Sequence, residues 1–322
     1  MELYPLRFKP ILKDRLWGGH KLRDVLGKKF KGTGVGESWE LSGVDGDVSL
    51  IDNGPYRGKS LKELIQSHPG ELLGKPVIDR FGKEFPILIK FIDAQKDLSI
   101  QLHPGDELAQ ERHNSFGKTE MWYVMDADPG AELIIGFKRD MSPEEYQQAM
   151  EEKSLPQYLH YEPVAAGDGF FINSGKIHAI GAGILLAEIQ QSSDVTYRVY
   201  DFDRRDAQGN LRELHTELAL DAMDFKKRDD FKIPYAQQKN RENLMVSSPY
   251  FKTSYLELDT QTRLSLPLGE SFTVLICVDG AAEVVLNSWK IGIQKGETVL
   301  IPAAAAEVTV NTSESRFLKV SL

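Results

Sequence analysis

The stretch Leu98-Ser99-Ile100-Gln101-Leu102-His103-Pro104 alternates side chains with the two-residue period of a strand. Gln101 and His103 therefore share one face, while Ile100 and Leu102 share the other. Short runs of this kind dominate the chain from residue 85 onward. They are expected over 85–92, 120–124, 131–137, 185–190 and 194–201, resuming at 169. A further series follows at 253–258, 272–278, 282–286, 298–301 and 307–310, with turns read at Asp279-Gly280 and Lys295-Gly296.

Glu120 stands at the mouth of a second strand in Gly117-Lys118-Thr119-Glu120-Met121-Trp122, and a further imidazole, His178, follows Asn173-Ser174-Gly175-Lys176-Ile177. Two imidazole nitrogens, one carboxylate and the amide oxygen of Gln101 form a donor set suited to a divalent metal. A lone Gln-x-His on a half-buried strand is more often a pair of satisfied polar side chains. The frame around His178 shifts that balance. Gly167, Asn173, Gly175 and His178 resemble the second cupin motif, with Asn173 where that motif has proline.

Length and charge narrow the rest. A chain of 322 residues exceeds what one core usually fills, so two domains, or one with an insertion, are expected. A net charge of −9 argues against nucleic acid or an anionic membrane as partner, since both require a basic surface. A small anionic substrate stays compatible. Cys277, the single cysteine, reads as a buried strand residue without a partner, which fits a reducing cytosol. The N-terminus lacks the apolar core of a signal peptide, and no run of about eighteen apolar residues suggests a membrane span. A cytoplasmic protein is expected.

Helices are read from their start signals. Residues 21–26 form a short candidate. Ser60 with Glu63 is a capping box, with a stop near Ser67-His68-Pro69-Gly70. Ser142-Pro143-Glu144-Glu145 opens another helix, and residues 104–112 and 215–223 look helical. His113 reads as an exposed loop histidine. Gly32, Gly34 and Gly36 precede no helix signature and no G-K-[ST], so they read as a flexible entry into the strand 38–41 rather than a nucleotide loop. Residues 225–234 read as a connector.

In Leu185-Leu186-Ala187-Glu188-Ile189-Gln190, Glu188 and Gln190 share a face; Thr196, Arg198 and Tyr200 share one further on. Solvated strand charges would be the ordinary reading. Glu188, however, lies ten residues after His178, beyond a hairpin turn read at Gly181-Ala182-Gly183, and so can reach the same pocket.

The segments S-I-Q-L-H-P, G-K-T-E-M-W-Y-V, G-K-I-H-A-I-G-A-G and L-A-E-I-Q-Q-S-S-D-V-T-Y-R-V-Y-D resemble, in order, the type I mannose-6-phosphate isomerases of the short bacterial form. With W-G-G and G-E-S-W-E-L-S they span about the first two thirds of the chain. The resemblance implies a zinc site from Gln101, His103, Glu120 and His178, and active-site roles for Lys118, Glu188 and Arg198. It implies interconversion of mannose 6-phosphate and fructose 6-phosphate by proton transfer through a cis-enediol. Glu188 is the candidate base and Arg198 the candidate oxyanion partner. Lys118 is a candidate for substrate oxygens. Arg198, Lys118, Arg204 and Arg205 compete for the phosphate. Two other readings stay open: an iron oxygenase, whose open positions Gln101 would crowd, and a sugar-sensing cupin without activity.

The expected fold is mainly β: two cupin-like jelly rolls, residues 1–237 with helical insertions and the metal, and residues 238–322 without one. Counting from Gly296-Glu297 as from Gly167-Asp168 puts Glu307 opposite His178, and no histidine follows His215. One zinc ion per chain is therefore expected. Oligomeric state is not legible.

Overall fold

Ile87–Ala94 and Ile184–Gln191 are buried along their whole length, as near-continuous apolar strands must be when both faces are covered. They pair antiparallel in register from Ile184 opposite Ala94 to Gln191 opposite Ile87. In the computed structural model, which describes residues 3–32, 34–205 and 209–322, they form the middle of a six-stranded sheet. Its order is Gly169–Ile172, Glu120–Ala127, Ile184–Gln191, Ile87–Ala94, Ile11–Gly19 and Val35–Leu41. Met1, Glu2 and Thr33, part of the N-terminal and glycine-rich readings, lie outside the described residues.

A five-stranded sheet faces it, ordered Tyr197–Tyr200, Ile100–Leu102, His178–Ile180, Glu132–Phe137 and Leu159–Pro163. Trp122, Val124, Ile172 and Leu186 of the first sheet meet Leu133, Ile135 and Ile180 of the second in one apolar core. The outer face of the five-stranded sheet carries Ile100, Leu102 and Phe137 against Tyr146, Ala149 and Ala219 of the helices Pro143–Glu151 and Thr216–Ala222. The outer face of the six-stranded sheet carries Ile89, Phe91, Met121, Leu185 and Ile189 against Val274, Ile276, Leu318 and Val320. Those last residues belong to an eight-stranded sheet built from Asn243 to Ser321, with its own core around Leu256, Leu275, Cys277 and Phe317.

Ser60 and Ser142 form the expected capping boxes. The Ser60-capped helix ends at Ser67 as expected, and Pro69 opens a further helix, Pro69–Leu73, followed by Lys75–Phe81. Several expectations need correction. Asp279-Gly280 is not a turn, because one strand, Thr273–Leu286, runs through it. The register against the neighbouring strand shifts between Cys277 and Asp279, and Gly280 at φ +73° sits where an added Cβ would meet the Glu314 carbonyl at 2.3 Å. A glycine bulge thus imitates a turn signal. Gly181–Gly183 turns the chain, but the strands it joins belong to different sheets, so it is a corner rather than a hairpin. His113 closes the helix Asp106–His113, exposed, with its Nε2 2.8 Å from the Tyr197 hydroxyl. No helix among the described residues is long and apolar enough to cross a membrane.

Candidate metal centre and its cavity

His103 directly follows the strand Ile100–Leu102, and His178 begins the adjacent strand, so both imidazoles project from the five-stranded sheet. His103 Nδ1 lies 2.9 Å from the Val195 carbonyl, and His178 Nδ1 lies 2.8 Å from the Lys176 carbonyl. A carbonyl only accepts, so each Nδ1 carries the proton and each Nε2 is left with a free lone pair. Both Nε2 atoms face Glu120 of the opposite sheet, at 3.6 Å for His103 and 3.4 Å for His178.

All three side chains are buried, and neither Nε2 atom nor Glu120 Oε1 has a hydrogen-bond partner. Unpaired acceptors in a dry interior are costly. These ligand atoms lie within 4.8 Å of one another, so one divalent cation could satisfy them together. Burial, assisted by the Lys118 charge against the pull of the Lys176 carbonyl, pushes His178 down to about 4. Burial, then Lys118 and His178, lowers His103 as well. Both rings are therefore neutral, the form that ligates metal. Burial raises Glu120 to about 7 against the Lys118 ammonium, 3.1 Å from its Oε2. Gln101 stands directly opposite His178 in register, which puts the two side chains on one face.

Beside this cluster opens a cavity of about 450 Å³. Its far wall is a cross-strand row on the six-stranded sheet: Trp122 opposite Glu188, Glu188 opposite Lys90, and Lys90 opposite Trp39. Glu188 Oε1 accepts from the Trp122 indole at 3.0 Å, and Oε2 lies 3.1 Å from the Lys90 ammonium. Burial alone would raise this carboxyl, but Lys90 and then Lys118 outweigh it and hold it at about 2. Lys118 also lines the cavity, although its strand begins only at Glu120. Arg198 lies opposite Gln101, half-buried, with Nε 3.3 Å from the Ser99 hydroxyl and Nη1 2.9 Å from the Glu213 carbonyl.

The seven residues singled out in the sequence thus converge on one region, whereas Arg204 and Arg205 do not line the cavity. Arg204 is committed to Asp201, and Arg205 donates to the Gly209 carbonyl at 2.7 Å. The expected shared face holds for Thr196 and Arg198, both cavity-lining, but not for Tyr200. A register shift after Arg198 sets Tyr200 opposite Ile100 and packs it on the helical side. Sequence reasoning missed Lys90, Glu37, Trp39 and Arg212. Lys90 had a signal, as the one basic residue within an apolar strand, and Glu37 and Trp39 alternate on theirs. Arg212 had none.

Gly175 ties the two histidine segments together. Its N–H donates to the His103 carbonyl at 2.8 Å, and its carbonyl accepts from Asp224 at 2.8 Å. With φ at +82° and an added Cβ only 2.5 Å from the Ala222 carbonyl, no side chain fits. Gly175→Ala is expected to cost at least roughly 1–2 kcal/mol and to lower metal content. Urea unfolding and elemental analysis check this; unchanged values in both would remove the role given to Gly175.

Residues 6–139 match the sequence model of the catalytic domain of phosphomannose isomerase type I, and residues 240–320 match that of the mannose-6-phosphate isomerase cupin domain. Over 310 residues the chain is 36% identical to a probable mannose-6-phosphate isomerase of Bacillus subtilis, covering 95% of this chain and 96% of that one. The chain belongs to the type I phosphomannose isomerase family. A mannose-6-phosphate isomerase of Streptococcus mutans is 36% identical over 92% of each chain. The crystal structure of the Bacillus subtilis mannose 6-phosphate isomerase aligns with a TM-score of 0.90 over 99% of this chain and 100% of that one, at 31% identity. The chain is accordingly an isomerase with a mainly β fold that includes a cupin domain.

Proposed function

We propose that the chain interconverts mannose 6-phosphate and fructose 6-phosphate by moving a proton between carbons 1 and 2 through a cis-enediol. One zinc ion per chain is assigned to Gln101, His103, Glu120 and His178. The observation carrying this reading is the buried trio of unpaired donors beside a cavity with Glu188, Lys118 and Arg198 on its walls. The chemistry that such an ion supplies when bound is Lewis-acid polarisation of sugar oxygens. Glu188, ionised, takes the proton from one carbon and returns it to the next. Arg198 sets fixed positive charge against the oxygen on which negative charge develops. Lys118 donates to substrate hydroxyls.

Two further elements belong to the same reading. The chain divides into jelly rolls at 1–237 and 238–322, supported by the separate core of the eight-stranded sheet. The protein acts in the cytoplasm, as its single buried cysteine suggests. The oxygenase alternative is disfavoured by Gln101 beside His178, and the sensor alternative by Glu188 and Arg198 lining one cavity.

The deciding experiment follows fructose 6-phosphate formation from mannose 6-phosphate before and after chelation, with zinc added back. No product from the metal-loaded protein would end the isomerase reading. Lys90 supplies a pH test. Because its ammonium is the leading influence holding Glu188 down, Lys90→Met removes that support and the Glu188 pKa rises. The acid limb of kcat/KM should move upward by about one pH unit or more. A limb that stays in place would detach Glu188 from the proton transfer.

A further inference from the structure

Five cationic side chains line the cavity: Arg15, Lys90, Lys118, Arg198 and Arg212. Three are neutralised at close range: Arg15 by Glu37 at 2.9 Å, Lys90 by Glu188 at 3.1 Å and Lys118 by Glu120 at 3.1 Å. Arg198 makes no ion pair among the described residues; its contacts are the Ser99 hydroxyl and the Glu213 carbonyl. Arg212 reaches Asp201 Oδ1 at 3.3 Å, an oxygen already engaged by Arg204. One carboxylate thus serves two guanidiniums while Arg198 has none of its own. Among the described residues the lining sets five cationic side chains against three carboxylates, Glu37, Glu188 and Asp194, which leaves positive charge in excess. In accord with that crowding, burial and then Arg212 hold Arg198 below the usual guanidinium range.

The position of this charge is as informative as its sign. Arg198 stands opposite Gln101, and Gln101 opposite His178, which places roughly 10 Å of sheet between the backbones of His178 and Arg198. The segment that carries Arg212 runs along the outer edge of the Arg198 strand, because His215 donates its N–H to the Arg198 carbonyl at 2.7 Å. Arg212 therefore lies one backbone further from the metal cluster than Arg198 does. A hexose phosphate has the same layout, with its reacting carbons at one end and its dianion at the other. The Ser99 and Thr196 residues line the wall between.

We propose that Arg212 is the phosphate anchor of this cavity, leaving Arg198 free to act on the sugar. The assignment rests on the sugar-phosphate reading given above. Arg204, Arg205 and Lys118 are excluded from the role by their committed partners or by their position. A guanidinium fork suits a phosphate because it presents two parallel donors to two oxygens. Asp201 holds Arg212 in place without cancelling it, since that carboxylate is shared.

The test is titration calorimetry and steady-state kinetics on the metal-loaded full chain, comparing mannose 6-phosphate with unphosphorylated mannose. Arg212→Ala should weaken mannose 6-phosphate binding roughly a hundredfold, raise KM more than it lowers kcat, and leave both metal content and mannose binding unchanged. Arg212→Lys should recover part of the loss, and the exposed control Arg139→Ala none. Should the alanine variant fold poorly, the lysine variant decides, because a phosphate anchor reduced to a point charge still weakens binding of the phosphorylated sugar alone. Unaltered mannose 6-phosphate binding in both variants, or equal loss for the two sugars, would overturn the proposal. A wild-type protein that prefers the phosphorylated sugar yet fails to isomerise it would refute the isomerase reading and leave the anchor standing.

Discussion

His178→Ala is expected to yield a folded protein that retains neither metal nor turnover. The loss should exceed the roughly 10- to 100-fold that follows when a residue merely supporting a metal ligand is removed. Without the His178 Nε2, the candidate ligands left are buried His103 and Glu120 and half-buried Gln101, and Glu120 stays beside the Lys118 ammonium. An ion lacking one ligand leaves, and the binding free energy coupled to folding leaves with it. Elemental analysis after dialysis, the isomerase assay and the shift of the thermal midpoint on adding zinc read the three consequences. In the wild type zinc should raise the midpoint; in the variant that response should vanish. Full turnover by a metal-stripped wild-type protein would remove the metal from the mechanism.

Arg198→Ala should behave differently. Among the described residues its guanidinium hydrogen-bonds none of the candidate ligands; its bonds run to Ser99 and Glu213. Metal content and the zinc-dependent midpoint should therefore stay at wild-type values, while kcat falls roughly a hundred- to a thousandfold, the usual effect of removing one oxyanion donor. The pair of variants separates two failures that an activity assay alone would merge. Normal turnover by Arg198→Ala would return that residue to a structural role, bracing the segment at Glu213.

Strand alternation makes much of this legible in the sequence itself. The two-residue period puts Gln101 and His103 on one face; the register sets Gln101 opposite His178 and Arg198, and His103 joins His178 at Glu120. Local capping chemistry was equally readable, because Ser60 with Glu63 and Ser142 with Glu145 are complete within four residues. The failures share a different cause. Asp279-Gly280 satisfies the local requirements of a turn, yet pairing with Ser315–Ser321 carries the strand through it. The corner at Gly181–Gly183 was misread as a hairpin because the sheet that receives the next strand is decided by partners far along the chain. Tyr200 left its expected face through a bulge that the alternation does not announce. Arg212 enters the cavity only because its segment folds back along the Arg198 strand, a pairing with no local code.

The six-stranded sheet is covered on both faces at its centre: one face meets the cavity and the facing sheet, the other packs against Val274, Ile276, Leu318 and Val320. Glu188 and Lys90 alternate along their strands with Ile189, Ala187, Ile89 and Phe91, which point into that second layer. The cavity wall and its backing are thus the two surfaces of a single sheet of backbone. A change in the far layer is transmitted to the cavity as a change in strand position rather than in chemistry. On the reading proposed above, side chains such as Leu318, which do not line the cavity, help set the position of the strands that carry Glu188 and Lys90, so substitutions there bear on the site without touching it.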